Sequence, residues 1–270
     1  MAEFLAQLWP IAAVVLTAFV AGFINAVAGG GTFLSFPALV GIAGLTEKAA
    51  NMTSTIGLWP GSASSIVAAK PEYKKLPTKM VVLYSLISLI GGAIGAALLI
   101  YTSNQTFRFV IPWLLLFATV VFAFSKPIAR WAGRKHGDRS LKWTLFVAAV
   151  QLVVAIYGGY FGAGIGVLML AGLAFAGLDD IHQMNALKVL LATWINGISV
   201  VLFIAFSATT TIPDERVNWL LAILMAIASV IGGFVGMGFA RKLDPAKLRY
   251  AILVIGVLLT LTYFYKTYFA

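Results

Sequence analysis

Two clusters of glycine residues have the composition and position to bind a ligand through the backbone. The first cluster comprises residues 29–31 and the second comprises Gly162, Gly164 and Gly166. Each cluster interrupts a long apolar run, and an interrupted helix leaves backbone N–H groups without partners in a bilayer. Such groups at the start of a helix attract anions, and glycine lets a ligand approach the backbone closely. We therefore predict that both clusters contact a small anion, with close helix packing as the alternative.

Polar side chains lie near both clusters, and they complete the predicted binding site. Asn185 and Lys188 are one helical turn apart, so they lie on the same face of a helix. Asn25 and Asn51 could instead form hydrogen bonds between helices, and this alternative stays open. The residues that we expect to bind the substrate are Asn25, Gly29, Gly30, Gly31, Thr32, Ser35, Asn51, Ser54, Gly162, Gly164, Gly166, Asn185 and Lys188.

Two lysines need separate interpretations. Lys188 falls within an apolar segment, where a charged group usually has a functional role, but it is near enough to the segment start to extend to the interface. Both interpretations stay open. Lys48 follows Glu47 directly, and we expect these two residues to form a local ion pair.

The elements that position these residues follow from composition. Hydrophobic residues make up 61% of the 270 residues and charged residues only 10%, whereas a soluble domain has about 25% charged residues. The apolar runs are continuous rather than alternating, which indicates an all-α polytopic membrane protein rather than a barrel. The absence of cysteine excludes disulfides and thiolate metal sites. The net charge of +10 lies in loops between the apolar runs, so membrane topology explains it better than nucleic-acid binding.

Ten hydrophobic segments are visible. Eight are long enough to cross a bilayer, but the two that follow the glycine clusters have only about fourteen apolar residues, or about 21 Å of helix against a core of about 30 Å. The segments are 8–28, 31–45, 48–69, 78–101, 107–125, 141–163, 165–178, 182–206, 216–240 and 246–267.

The order of segments repeats in the two halves. A shift of 135 residues places Gly29 on Gly164 and Gly31 on Gly166, and a shift of 134 places Ser54 on Lys188. We therefore divide the chain into a first transmembrane repeat at 1–125, a cytoplasmic linker at 126–140 and a second transmembrane repeat at 141–270.

The basic residues predict how these repeats are oriented. Fourteen of the nineteen lysines and arginines lie in loops 70–79, 126–142 and 240–249, which should therefore be cytoplasmic. Corresponding loops of the two halves then lie on opposite sides of the membrane. The prediction is two inverted repeats of five hydrophobic segments, each with a glycine-broken short helix, and extracytoplasmic termini. Two corresponding broken segments are typical of the binding site of a secondary transporter.

Two stretches of the sequence resemble the TauE/SafE sulfite exporter family. One is the run from 21 to 39, AGFINAVAGGGTFLSFPAL, followed by AANMTST from residue 49, and the other is GGYFGAGIGVLML from residue 158. The resemblance covers essentially the whole chain. It implies a multi-pass carrier of the cytoplasmic membrane that exports sulfite, an organosulfonate such as sulfoacetate, or a related small sulfur anion.

Taken together, these features predict a secondary transporter that exports a small sulfur oxyanion by alternating access. A selective anion channel that uses the same two helix starts stays an alternative. We expect no enzyme activity, cofactor, metal site or nucleic-acid partner, because the sequence contains no catalytic or metal-binding constellation and no nucleotide-binding motif. The expected partners are the small anion and the lipid bilayer, and the sequence leaves open whether copies of the chain form a homo-oligomer.

Overall fold

The computed structural model describes residues 2–27, 29–73, 75–133, 141–176, 178, 180–239 and 245–269. In these residues the protein is all-α, as predicted, and contains no strand. Two 3-10 turns, at Ala174–Ala176 and Pro213–Glu215, accompany the α-helices. The α-helices are α1 (Ala2–Val27), α2 (Thr32–Gly41), α3 (Glu47–Tyr73), α4 (Thr78–Tyr101), α5 (Asn104–Gly133), α6 (Leu141–Tyr160), α7 (Ile165–Leu173), α8 (Ile181–Thr209), α9 (Trp219–Phe239) and α10 (Pro245–Tyr268).

Seven helical stretches of the described chain are long and apolar enough to cross a membrane, which confirms a polytopic membrane protein. The stretches are Leu8–Ala26, Thr78–Tyr101, Asn104–Phe124, Lys142–Tyr160, His182–Thr209, Pro213–Gly236 and Tyr250–Tyr268. Two shorter apolar helical stretches, Thr32–Gly41 and Ile165–Ala176, follow the glycine clusters. The predicted short segments are therefore present, and both are shorter than the sequence indicated.

Helix α5 differs from its predicted segment. It extends to Gly133, so residues 126–133 of the expected linker are helical, and residues 134–140 lie outside the described part of the chain. Basic residues 241 and 242, which contributed to the predicted topology, also lie outside it.

Helix α3 occupies the interior of the helix bundle. It packs against α1, α2, α8 and α9. Its first two turns carry the buried residues Asn51, Thr53 and Ser54. Polar groups of this kind are stable in a membrane only where protein rather than lipid surrounds them.

Two glycine-rich stretches within uninterrupted helices serve close packing. In α4, a Cβ on Gly92 would lie 2.9 Å from Ile198 Cγ2, and one on Gly95 would overlap the carbonyl oxygen of Ile156 in α6. In α9, a Cβ on Gly232 would overlap the carbonyl oxygen of Phe19 in α1. Helix α4 therefore packs closely on α6, and α9 packs closely on α1.

Candidate functional site

The two glycine clusters are in direct contact. A Cβ on Gly29 would lie only 2.9 Å from the Cα of Gly166, and Gly29 has a φ of 77° that disfavours any other residue. Gly164 caps the start of α7 with a φ of 72°. The chain therefore brings the starts of α2 and α7 together from the two halves of the sequence, as predicted.

A cavity lies beside this contact. It encloses about 640 Å³ of atom-free space, including the part that is open to the outside. Its wall combines the end of α1, the two glycine clusters, the first turns of α2 and α7, and one face each of α3 and α8. The lining residues are Asn25, Gly29, Gly30, Thr32, Thr55, Leu58, Ser62, Ser65, Phe161, Gly162, Ile165, Gly166, Lys188, Val189, Ala192 and Asn196.

About half of the residues predicted to bind the substrate line this cavity. The residues that do so are Asn25, Gly29, Gly30, Thr32, Gly162, Gly166 and Lys188. The predicted residues that are not among the lining residues are Gly31, Ser35, Asn51, Ser54, Gly164 and Asn185.

The predicted residues outside the cavity wall mainly hold helices together. The hydroxyls of Ser35 and Ser54 are 2.6 Å apart, which connects α2 to α3. Asn51 donates from Nδ2 to the carbonyl oxygen of Tyr160 at 3.0 Å, which connects α3 to the end of α6. Asn51 is buried, and its Oδ1 has no partner in the described part of the chain. The interhelical alternative for Asn51 therefore agrees with the structure.

Asn25 satisfies backbone donors at the first glycine cluster. Its Oδ1 accepts from the N–H groups of Gly30 at 3.1 Å and Gly31 at 2.7 Å. The sequence predicted that these N–H groups are free for an anion, but here a side chain of the preceding helix occupies both. Both N–H groups precede Thr32, the first residue of α2, so Asn25 fixes the backbone that leads into the helix and does not cap its first turn.

In the described part of the chain, no side chain takes the place of Asn25 at the second glycine cluster. Tyr157 donates from its hydroxyl to the carbonyl oxygen of Ala163 at 2.7 Å, so it satisfies an acceptor rather than a donor. Among the described residues, no side chain accepts from the N–H groups at 163, 164 and 166. Of these three residues, only Gly166 lines the cavity.

Lys188 is the most informative residue of the cavity wall. Its side chain is 3% exposed, and its Nζ has no hydrogen-bond partner within the described residues. The ammonium does not extend to an interface, so the alternative of an interfacial lysine disagrees with this conformation. No other titratable residue is among those that line the cavity. An unpaired buried charge is strongly unfavourable, so an anion in this cavity would gain a favourable partner in Lys188.

Sequence reasoning missed the polar residues that complete the wall. Thr55, Ser62 and Ser65 line it from α3, and Asn196 lines it from α8. Together with Leu58, the α3 residues follow the spacing i, i+3, i+7 and i+10, which is one face of a helix. That periodicity was available in the sequence, but it does not reveal which face of α3 meets the cavity.

A second buried lysine, Lys48, lies at the start of α3. Its Nζ donates to Glu215 at 2.9 Å and to the carbonyl oxygen of Ile100 at 2.7 Å, and it lies 4.7 Å from the centre of the Phe206 ring. The expected pair with Glu47 is therefore wrong. Glu47 instead accepts from Asn104 at 3.0 Å. The ion pair connects α3 to the turn between α8 and α9.

Comparisons with known proteins agree with the architecture. A sequence model of the family described as "Sulfite exporter TauE/SafE" matches residues 14–263. A probable membrane transporter protein, ORF9, of Sinorhizobium sp is 24% identical over 251 residues, or 91% of this chain and 89% of that protein. A probable membrane transporter protein of Haemophilus influenzae is 25% identical over 244 residues, or 90% and 89% of the two chains. The probable membrane transporter protein YfcA of Escherichia coli K12 is 24% identical over 253 residues, or 93% and 88%. No solved structure matches this chain.

Proposed function

The chain belongs to the sulfite exporter TauE/SafE family and is a membrane transporter, and from that premise we propose that it exports a small sulfur oxyanion across the cytoplasmic membrane. The proposed substrates are sulfite and organosulfonates such as sulfoacetate. The proposed mechanism is alternating access around the cavity between the two glycine clusters.

The observation that carries the proposal is the unpaired ammonium of Lys188 in the cavity wall. A small oxyanion would pair with the ammonium and accept from the side-chain amide of Asn196. The hydroxyls of Thr55 and Ser62 now donate to the carbonyl oxygens of Asn51 at 2.9 Å and Leu58 at 3.4 Å, so they would have to rotate before they could donate to the anion. Charge-assisted hydrogen bonds contribute about 1.5–3 kcal/mol each. One charge-assisted bond together with weaker neutral donors would give an affinity high enough to bind the substrate and low enough to release it.

The helix packing supports two repeats related by a two-fold axis. The pair of α1 with α9 corresponds to α6 with α4, and the pair of α2 with α10 corresponds to α7 with α5. Helices α3 and α8 are equivalent to each other in the two halves, and so are α5 and α10. Each of these two pairs is in contact, as expected for helices that lie next to the two-fold axis. Inverted and parallel repeats both produce such an arrangement, and the charge distribution is what favours the inverted one. In transporters of this type one repeat rocks against the other.

Transport in proteoliposomes tests the proposal. The purified protein is reconstituted, and efflux of sulfite, sulfoacetate, thiosulfate, sulfate and acetate is measured with and without a pH gradient. We expect saturable efflux of sulfite or sulfoacetate that is at least tenfold faster than efflux of acetate, and that is stimulated by the same anion on the opposite side. Efflux without saturation or trans-stimulation would indicate an anion channel. No transport of any sulfur anion would refute the proposed substrate class.

Reporter fusions test the proposed orientation. The charge distribution requires that the 126–142 region is cytoplasmic and that both termini are extracytoplasmic. A fusion at residue 134 should therefore report the cytoplasm and a fusion at residue 270 should report the outside. A cytoplasmic C-terminus would contradict the inverted arrangement of five segments in each half.

A further inference from the structure

The environment of Lys188 has a consequence for what moves together with the anion. The amine is buried in the cavity wall and has no partner in the described residues, whether acid, hydroxyl or carbonyl. The charged form of a buried amine loses its hydration, and no described group of the cavity wall compensates for that loss, so a site without a counter-charge favours the neutral form. An anion in the cavity reverses this preference, since it supplies the missing opposite charge.

We propose that Lys188 binds one proton together with each anion, so that anion and proton cross the membrane as a pair. This inference rests on the proposed function, because it assigns a second cargo to the same site. The lysine amine takes a proton from water on the side where the anion enters and returns it on the side where the anion leaves. The empty transporter then changes conformation with a neutral amine in its cavity.

Among the described residues of α8 and of the helices packed against it, no acidic group forms a hydrogen bond with Lys188. Helix α8 packs against α3, α4, α6 and α7. Helix α7 contains no charged residue, and the charged residues of the other three helices are near helix ends: Glu47, Lys48, Lys70 and Glu72 on α3, Lys79 on α4 and Lys142 on α6. The titratable residues that lie further inside these helices are tyrosines, such as Tyr84 of α4 and Tyr157 of α6. On α8 itself, Asp180 precedes the first turn, where its Oδ1 accepts from the N–H of His182.

Binding and protonation are then thermodynamically linked. If the anion favours the protonated amine, the proton must favour the bound anion by the same factor. Proton uptake on anion binding should increase with pH, because a larger fraction of the empty protein then begins with a neutral amine. Where the empty amine is neutral and the anion-bound amine is still protonated, uptake reaches one proton for each anion, and it decreases again at a pH that deprotonates the bound form.

Calorimetry on the purified full-length protein measures this number. Sulfoacetate is the probe, because both of its acidic groups stay ionised near and above neutral pH and cannot supply or take up the proton themselves. Binding is measured from about pH 7 to about pH 9.5 in two buffers with different heats of ionisation. The difference between the heats gives the protons taken up for each anion bound. We expect a value that rises towards one in the wild-type protein.

Two variants sharpen the test. Lys188→Arg keeps a positive charge that cannot be removed in this range, so it should bind sulfoacetate with proton uptake near zero at every pH. Lys48→Arg is the matched control, because this buried lysine already has Glu215 as its partner, and its proton uptake should equal that of the wild type.

The outcomes separate this inference from the proposed function. Sulfoacetate binding with uptake near zero across the range in the wild-type protein would overturn proton coupling and leave anion transport intact. Uptake that persists in Lys188→Arg would assign the proton to another group and also overturn the inference. If sulfoacetate does not bind at all, both the coupling and the sulfonate part of the proposed function fail. The wild-type measurement is decisive even if a variant does not fold.

Discussion

Two buried lysines with opposite surroundings distinguish the scaffold of this protein from its candidate site. Lys48 is 2% exposed and has a carboxylate, a carbonyl oxygen and an aromatic ring around its ammonium. Lys188 is 3% exposed and has no hydrogen-bond partner in the described chain. The same buried residue type is thus part of the scaffold where the protein supplies its partners, and part of a binding site where a ligand must supply them.

The two glycine clusters also differ in whether the protein itself supplies partners for their polar groups. In the first cluster, Asn25 occupies the N–H groups of Gly30 and Gly31, and the neighbouring hydroxyls of Ser35 and Ser54 satisfy each other. In the second cluster no side-chain acceptor of the described residues occupies the corresponding donors, and Lys188 stands where the repeat places Ser54. The two halves of the chain therefore contribute unequally, and the lysine among the cavity-lining residues comes from the second half.

The largest expected effect concerns the paired lysine. Lys48→Met removes the cation from Glu215, whose side chain is only 12% exposed, and breaking a buried ion pair from one side costs about 3–5 kcal/mol. We expect a loss near the lower end of that range, measured as a reduced unfolding temperature of the detergent-solubilised protein. Anion affinity of the folded fraction should stay within about twofold of the wild type. An unchanged unfolding temperature would contradict a structural role for this ion pair.

The opposite result is expected for the unpaired lysine. Lys188→Met replaces a buried amine that has no hydrogen-bond partner in the described chain with an apolar side chain, so the unfolding temperature should be unchanged or higher. The anion loses a charge-assisted hydrogen bond of about 1.5–3 kcal/mol, or roughly tenfold to a hundredfold or more in affinity. Lys188→Arg should retain part of that affinity. Wild-type affinity in folded Lys188→Met, measured by calorimetry, would remove Lys188 from the site.

A pair of glycine substitutions compares the two clusters directly. Gly30 and Gly164 both have positive φ, so a valine at either position adds backbone strain of about 1–3 kcal/mol. Gly30 lines the cavity, whereas a Cβ at Gly164 would lie 3.1 Å from the ring of Phe33. We expect at least a tenfold loss of anion affinity in Gly30→Val, and a greater loss of thermal stability in Gly164→Val. Equal affinities of the two folded variants would show that cavity lining at Gly30 is irrelevant to binding.

The smallest effect is expected at the position that corresponds to Lys188 in the first repeat. Ser54→Ala removes one hydrogen bond, to Ser35, and such a bond contributes about 1 kcal/mol. The unfolding temperature should decrease slightly and anion affinity should stay within about twofold of the wild type. A strong loss of affinity in this variant would mean that the two repeats contribute equally after all.

Much of the architecture was predictable because it depends on local sequence. Apolar runs long enough to cross a bilayer form helices in lipid, whatever they pack against, so the all-α class and the approximate segments followed from composition and run length. The two short helices followed from the glycine clusters. The glycines of α4 and α9 lie within uninterrupted apolar runs, which is typical of packing residues, and their close approach to the backbones of α6 and α1 agrees with that role.

Only the tertiary structure decided which polar groups satisfy each other, because a pairing between residues far apart in sequence depends on how the helices pack. Lys48 binds Glu215, 167 positions away, rather than the adjacent Glu47. Asn25 turns towards the N–H groups of the first cluster, and one face of α3 rather than another meets the cavity. The sequence by itself determined that Lys188 lies within an apolar segment. Its lack of any partner in the described chain, which makes it the centre of the candidate site, depended on the packing of every helix around it.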